Sequence, residues 1–150
     1  EEVLFFQIYE QDKEFLITSS AGKGFFVNSN DFIASTKSGK KVMNLKDNDR
    51  AVSCAEKKGD LIVSISGEKK SFKLLAFNSS EIPNMQKGRG VTLQKFKSGK
   101  TLNAFCADSN EGIINERSKK VLLSAKDLKK WLGKRAQAGR IEPKNLHSKI

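Results

Sequence analysis

The hydrophobic positions of this chain fall in short runs separated by Gly, Ser and Asn. Phe15-Leu16-Ile17, Phe25-Phe26-Val27, Leu61-Ile62-Val63-Ser64-Ile65 and Leu74-Leu75-Ala76-Phe77 are rich in β-branched and aromatic residues. Such residues suit a pleated, half-buried surface, and runs of them bounded by turn residues read as strands. Ala21-Gly22-Lys23-Gly24 supplies the positive-φ positions of a hairpin turn between the first two runs, and Ser66-Gly67-Glu68-Lys69 does the same between the next two. Val91-Thr92-Leu93-Gln94 alternates apolar and polar residues, which predicts a strand with one buried face. One helical pattern interrupts the strands. Ser124 stands as N-cap with Asp127 in the first turn, and Leu128, Trp131 and Leu132 follow at i, i+3 and i+4 before Gly133 stops the helix. That stripe is expected to plug a core. The pattern as a whole predicts a mainly antiparallel all-β chain.

The same phrases recur. Leu16-Ile17-Thr18-Ser19-Ser20-Ala21-Gly22 is answered by Leu61-Ile62-Val63-Ser64-Ile65-Ser66-Gly67, and Phe26-Val27-Asn28-Ser29-Asn30-Asp31-Phe32 by Ala76-Phe77-Asn78-Ser79-Ser80-Glu81-Ile82. A Gly-basic element follows each hairpin, Ser38-Gly39-Lys40-Lys41-Val42 in the first copy and Lys87-Gly88-Arg89-Gly90-Val91 in the second. A divergent third copy offers Leu122-Leu123-Ser124-Ala125-Lys126-Asp127-Leu128 and then Ala138-Gly139-Arg140-Ile141. A unit of roughly 45–50 residues suits one four-stranded blade of a propeller-like array. The chain is expected to be a single-domain fragment of about three blades of a larger array. Residues 1–14 would form the tail of a preceding blade, 15–60 and 61–110 two repeats, and 111–150 a divergent terminal repeat and tail.

Charge sharpens this picture. The 150 residues carry 28 Lys plus Arg and 17 Asp plus Glu, for a net +11. Residues 1–60 are nearly balanced, with 9 basic and 10 acidic side chains, whereas residues 61–150 hold 19 basic and 7 acidic. Cations concentrated in this way attract a polyanion and gain free energy by releasing its counterions, so nucleic acid is the leading partner. An anionic membrane surface would also want an amphipathic helix with bulky apolar anchors, and no apolar run approaches the ~20 residues needed to span a bilayer.

The segment from Glu81 through Ile82-Pro83-Asn84-Met85-Gln86-Lys87-Gly88-Arg89-Gly90-Val91 to Lys97 resembles the C-terminal domain of the A subunit of bacterial topoisomerase IV. It is similar to a degenerate form of the glutamine-, basic- and glycine-rich box of the related gyrase A protein. Ala21-Gly22-Lys23-Gly24-Phe25, Val42-Met43-Asn44-Leu45 and the stretch from Trp131 to Gly139-Arg140-Ile141 and Pro143 carry the likeness over nearly the whole chain. The resemblance implies a β-pinwheel, a propeller relative whose neighbouring blades exchange strands and whose basic rim bends double-stranded DNA with little sequence specificity. It further implies a bacterial, cytoplasmic, nucleoid-associated enzyme. In that enzyme the chain would be a non-catalytic module serving relaxation, decatenation and chromosome segregation. A separate ATPase B subunit would complete the heterotetramer, with ATP and Mg²⁺ bound outside this segment. Gly88-Arg89-Gly90 is shorter than a full gyrase-type box, which favours topoisomerase IV over a gyrase A wrapping domain. A propeller-like protein-interaction scaffold is the alternative from another class.

The residues themselves suggest a phosphate track. Gly88 and Gly90 would let backbone amides approach a phosphate, with the Arg89 guanidinium fork between them. Lys87, Lys95, Lys97 and Lys100 follow, with Lys95 and Lys97 expected to face outward from a strand that buries Phe96. Lys40 and Lys41 would occupy the equivalent loop of the first unit and Arg140 that of the third, with Lys119, Lys120, Lys134 and Arg135 adding to the last unit. Lys129 and Lys130 thicken the same region. Catalytic and metal sites are not expected. His147 is read as a solvated tail residue. Tyr9 lacks the adjacent arginine and acidic cluster a DNA-cleaving tyrosine would need. Asp47 and Asp49 form a polar turn rather than a calcium loop. Cys54 and Cys106 lack ligand-spaced partners and are expected to be half-buried thiols.

Overall fold

The computed structural model describes residues 10–32, 40–69 and 71–150. Residues 1–9 of the tail expected to belong to a preceding blade, Tyr9 among them, and Ser38 and Gly39 lie outside the described residues.

Among the described residues the chain forms two four-stranded antiparallel sheets and one two-stranded sheet. Strand β1 (Glu14–Ser19) turns back into β2 (Lys23–Asn28), and β3 (Ala51–Glu56) pairs with the other side of β1. The second sheet repeats this arrangement. Its hairpin is β4 (Leu61–Glu68) and β5 (Ser71–Asn78), and β7 (Lys100–Ala107) lies on the far side of β4. Each sheet is completed by a strand from the next unit. β6 (Val91–Thr92) leaves the second hairpin and adds to β2, while β10 (Arg140–Ile141) leaves the third unit and adds to β5. The third unit contributes the small hairpin of β8 (Ile113–Ile114) and β9 (Val121–Leu123).

The repetition extends to single residues. The β1–β3 register slips between Thr18 and Ser19, and the β4–β7 register slips between Ile65 and Ser66. This shared bulge makes Ser64, opposite Leu75 and Ala104, the counterpart of Ile17, opposite Phe25 and Cys54. The repeated phrase aligned Ile17 with Ile62 instead. The difference arises because β4 and β5 run on to Glu68 and Ser71, a longer hairpin than the one around Gly22.

Layering explains why the strands are buried on both faces. Phe15, Ile17, Phe25 and Val27 pack under Val42, Met43 and Met85 on one side of the first sheet. Leu16 and Phe26, on its other side, meet Ile62, Leu75, Phe77, Ile82, Leu93 and Ala104. The far side of the second sheet, Leu61, Val63, Ile65, Leu74 and Ala76, is covered by Ile113, Leu123, Leu128 and Leu146 of the third unit. Fully burying each such side chain contributes about 1.5–3 kcal/mol, so the middle layer joins the two sheets strongly.

The expected helix is present but short. Ser124 accepts a hydrogen bond from the Asp127 amide, α1 covers Ala125–Leu128, and a 3₁₀ turn continues over Lys129–Trp131. Leu128 is buried and Trp131 packs beside it. Leu132 departs from the expected stripe, being 46% exposed because its backbone bridges Ala76 at the sheet edge. The tail is likewise docked rather than solvated. Leu146 is 2% exposed, the His147 ring packs tilted against Phe72 with centroids 4.6 Å apart, and both Glu142 carboxylate oxygens engage His147.

Asp49 accepts from the Ser20 hydroxyl and from the Ala21 and Arg50 amides, which ties the polar turn to the first hairpin. Burial alone would raise its pKa, but the hydrogen bonds from Ser20 and Ala21 outweigh that and hold the carboxyl below its ordinary value. Cys54 and Cys106 are half-buried free thiols, pushed upward in pKa by burial.

Candidate nucleic-acid interface

The edge strands of the sheets differ in what they meet. β3 packs against β7, so the two sheets converge along that edge. β6 and β10 occupy the opposite edges, and the basic residues concentrate there.

A chain of backbone contacts runs along this outer edge. Gly88 donates to Val42 O at 3.0 Å and accepts from the Asn44 amide at 2.7 Å. This fixes the exposed Lys40 and Lys41 beside Lys87 and Arg89. Gly90 then brings the chain against β2 with φ +83°, so close that a Cβ would run into the Gly24 carbonyl. Val91 and Thr92 pair with Gly24 and Lys23, and Lys23 Nζ donates to Thr92 Oγ1 at 2.7 Å. Beyond β6, Ala136 donates to Leu93 O and Lys95 to Gln137 O. Gly139 repeats the approach of Gly90, with φ +80° and its missing Cβ directed at the Leu74 carbonyl. Arg140 then pairs with Leu74 and Ile141 with Lys73.

The glycines therefore act differently from the expectation. The Gly88 amide is already used by Val42, and Gly90 serves the approach of one strand to another rather than of a phosphate to the backbone. Arg89 stays partly exposed between them, able to offer a planar, bidentate guanidinium to a phosphate.

The strand predicted over Val91–Gln94 ends at Thr92. Leu93 and Gln94 are both buried, at 0% and 1% exposure, because the chain turns inward at the junction of the sheets. Gln94 Oε1 accepts from Ser64 Oγ, and its Nε2 donates to the carbonyls of Lys73 and Ala138. This one side chain links the swapped segment, the second sheet and the third unit. Lys95 and Lys97 are exposed around a partly buried Phe96 without belonging to a strand, and the Phe96 ring lies over Gly22.

The structure thus brings Lys40, Lys41, Lys87, Arg89, Lys95, Lys134 and Arg140 to one ridge. Lys97 and Lys100 lie at its hairpin end, where Lys100 faces Gly67 and Ser98 bonds Glu68. Arg135 belongs to the ridge but its guanidinium donates to Thr92 O at 2.9 Å and its amide to Glu81 Oε1, so it helps to build the surface. Lys119 is elsewhere, paired with Glu116 at 3.4 Å and lining a cleft of about 900 Å³ with Glu56, Asp108 and Glu111 on the β3/β7 side. Lys120 follows it in the same turn. Two cations were missed in the sequence, Lys23 and Lys73, which occupy equivalent positions opposite Thr92 and Ile141. In the sequence Lys23 reads as part of the Gly22-Lys23-Gly24 hairpin turn and Lys73 sits at the head of an apolar run, so only the strand exchange reveals their place.

The family described as DNA gyrase C-terminal domain, beta-propeller, matches residues 13–55 and 76–105. The fold, with its exchanged outer strands, and this match place the chain in the β-pinwheel family formed by the C-terminal domains of the A subunits of gyrase and topoisomerase IV. The chain is 44% identical over 140 residues to the A subunit of DNA topoisomerase 4 of Rickettsia felis, an alignment covering 93% of this chain and 18% of that protein. It superposes on the Escherichia coli ParC C-terminal domain with a TM-score of 0.73 at 23% identity, covering 92% of this chain and 58% of the other. The gyrase A C-terminal domain gives a TM-score of 0.64 at 23% identity, covering 90% and 46%. The chain therefore spans about a fifth of the length of the curated relatives it matches.

Proposed function

We propose that this chain binds and bends double-stranded DNA with little sequence preference, as a non-catalytic module of a topoisomerase IV-like A subunit. The observation that carries the reading is the ridge of cations from Lys40 to Arg140, built on strands exchanged between sheets and continuous across both of them. Contacts of this kind grip phosphates and orient a duplex without reading bases. Bending a 20–30 base-pair site costs on the order of 1–6 kcal/mol, which a curved row of phosphate contacts offsets. In the assembled enzyme the module would hold a transfer segment in place for relaxation and decatenation at the bacterial nucleoid. It would act with a partner ATPase B subunit, leaving ATP and Mg²⁺ chemistry to other parts of the protein.

The test is a salt-titrated binding assay on mixed-sequence duplex. With ~6 phosphates neutralised, affinity should fall by roughly 10³ between 50 and 200 mM salt. Reversing the charge at Lys87, Arg89, Lys95 and Lys97 together should abolish bending, whereas reversal at Lys119 and Lys120 should leave it nearly unchanged. Unaltered mobility shifts for the fourfold variant would sink the assignment. Weak binding that is flat with salt would point instead to a protein-interaction scaffold.

A further inference from the structure

The two outer edges share one architecture but differ at one position. In the first sheet the outward pair is Lys23 and Thr92, joined by a hydrogen bond. In the second sheet the equivalent pair is Lys73 and Ile141, and Ile141 is 60% exposed, the most exposed of the large apolar side chains of the described residues. Directly paired residues of antiparallel strands share a face, so Ile141 stands beside the Lys73 cation. Arg140 precedes it on the same strand.

Ile141 is also rigidly held. Its carbonyl accepts from Trp131 Nε1 at 2.8 Å, Arg140 and Ile141 pair with β5, and the next amide, Glu142, donates to Phe72 O at 3.1 Å. An apolar side chain fixed in this way among phosphate-binding cations has the properties of the wedges that architectural proteins press between base steps. Its neighbours attract the backbone, and its branched methyls gain by leaving water for the face of an unstacked base.

We infer that Ile141 is such a wedge, inserted at a base step of duplex DNA lying on the second sheet's edge, while the first sheet's edge supports the duplex without insertion. The inference rests on the duplex-binding reading of the ridge. It makes the bend a local kink at the second blade rather than a smooth curve over both.

The experiment uses a 20–30 base-pair duplex with a single flexible TA step carrying 2-aminopurine and a dye at each end. The parent chain should raise 2-aminopurine fluorescence and shorten the end-to-end distance. Ile141→Ser should lose most of both signals while keeping the same salt slope of binding and the same melting temperature. Ile141→Phe should retain them. An Ile141→Ser chain that kinks and unstacks like the parent overturns the wedge, and so does a parent chain that binds steeply with salt but never unstacks the probe. In both of those outcomes the ridge reading survives. Failure of the parent chain to bind duplex at low salt overturns the ridge reading itself, and the wedge with it.

Discussion

At the scale of single residues, the side chain that most organises this molecule is uncharged. Gln94 satisfies Ser64, the Lys73 carbonyl and the Ala138 carbonyl from a fully buried position. Truncating it strands a buried hydroxyl and two carbonyls, each costing about 1–3 kcal/mol when left without a partner. Gln94→Ala should therefore destabilise the chain by on the order of 3 kcal/mol, read as a lower urea midpoint at unchanged slope. Gln94→Glu should be no better, because it removes both amide donors. A midpoint shift within experimental scatter would show that water replaces the side chain without cost. In the sequence this glutamine looked like the polar half of an alternating strand. Its role became visible only when strand exchange brought residues 64, 73 and 138 around it.

At the scale of elements, the construction depends on short strands crossing to a neighbouring sheet at a close approach. Gly90 and Gly139 make that approach with left-handed backbones and with no room for a Cβ against Gly24 and Leu74. Alanine at either position is strained twice, by conformation and by contact with a carbonyl, and should destabilise by more than about 1 kcal/mol. The local signature should differ between the two. Gly90→Ala should speed amide exchange in β2 and β6, and Gly139→Ala in β5 and β10, with the other sheet affected less. Equal effects on both sheets would contradict the picture of two edges built independently. Glycine and neighbouring cations were conspicuous in the sequence, and their common place on an outer edge follows from the same chain reversal in both units. The role assigned to Gly88 and Gly90 changed, since without the neighbouring strand in view a phosphate was the obvious object for a bare backbone to approach.

At the scale of the whole molecule, the described sheets are blades packed face to face. Leu16 and Phe26 of one sheet share a cluster with Ile62, Leu75 and Phe77 of the next, and the third unit seals the outer face of the second. Because each layer covers its neighbour, unfolding should be a single cooperative transition. Far-UV circular dichroism, which reports the sheets, and the fluorescence of Trp131, which reports the third unit, should give coincident urea curves. Separated midpoints would mean that the third unit docks independently. The layered arrangement also sorts the charges. Cations on and beside the exchanged strands gather on one edge, while Lys119 faces the cleft where β3 and β7 converge.

The sequence by itself determined the two central hairpins, β1–β2 and β4–β5, the near-50-residue repeat and the asymmetry of charge, because all of these are local or periodic properties of the chain. It also carried the family resemblance, through ordered phrases rather than any single motif. Only the tertiary structure decided that β6 and β10 leave their own units, that Lys23 and Lys73 join the ridge while Lys119 does not, and that Gln94 and the tail around Leu146 are buried. These depend on which segments lie side by side across tens of residues. Hydrogen bonding and burial enforce those pairings, and neither is encoded at any one position.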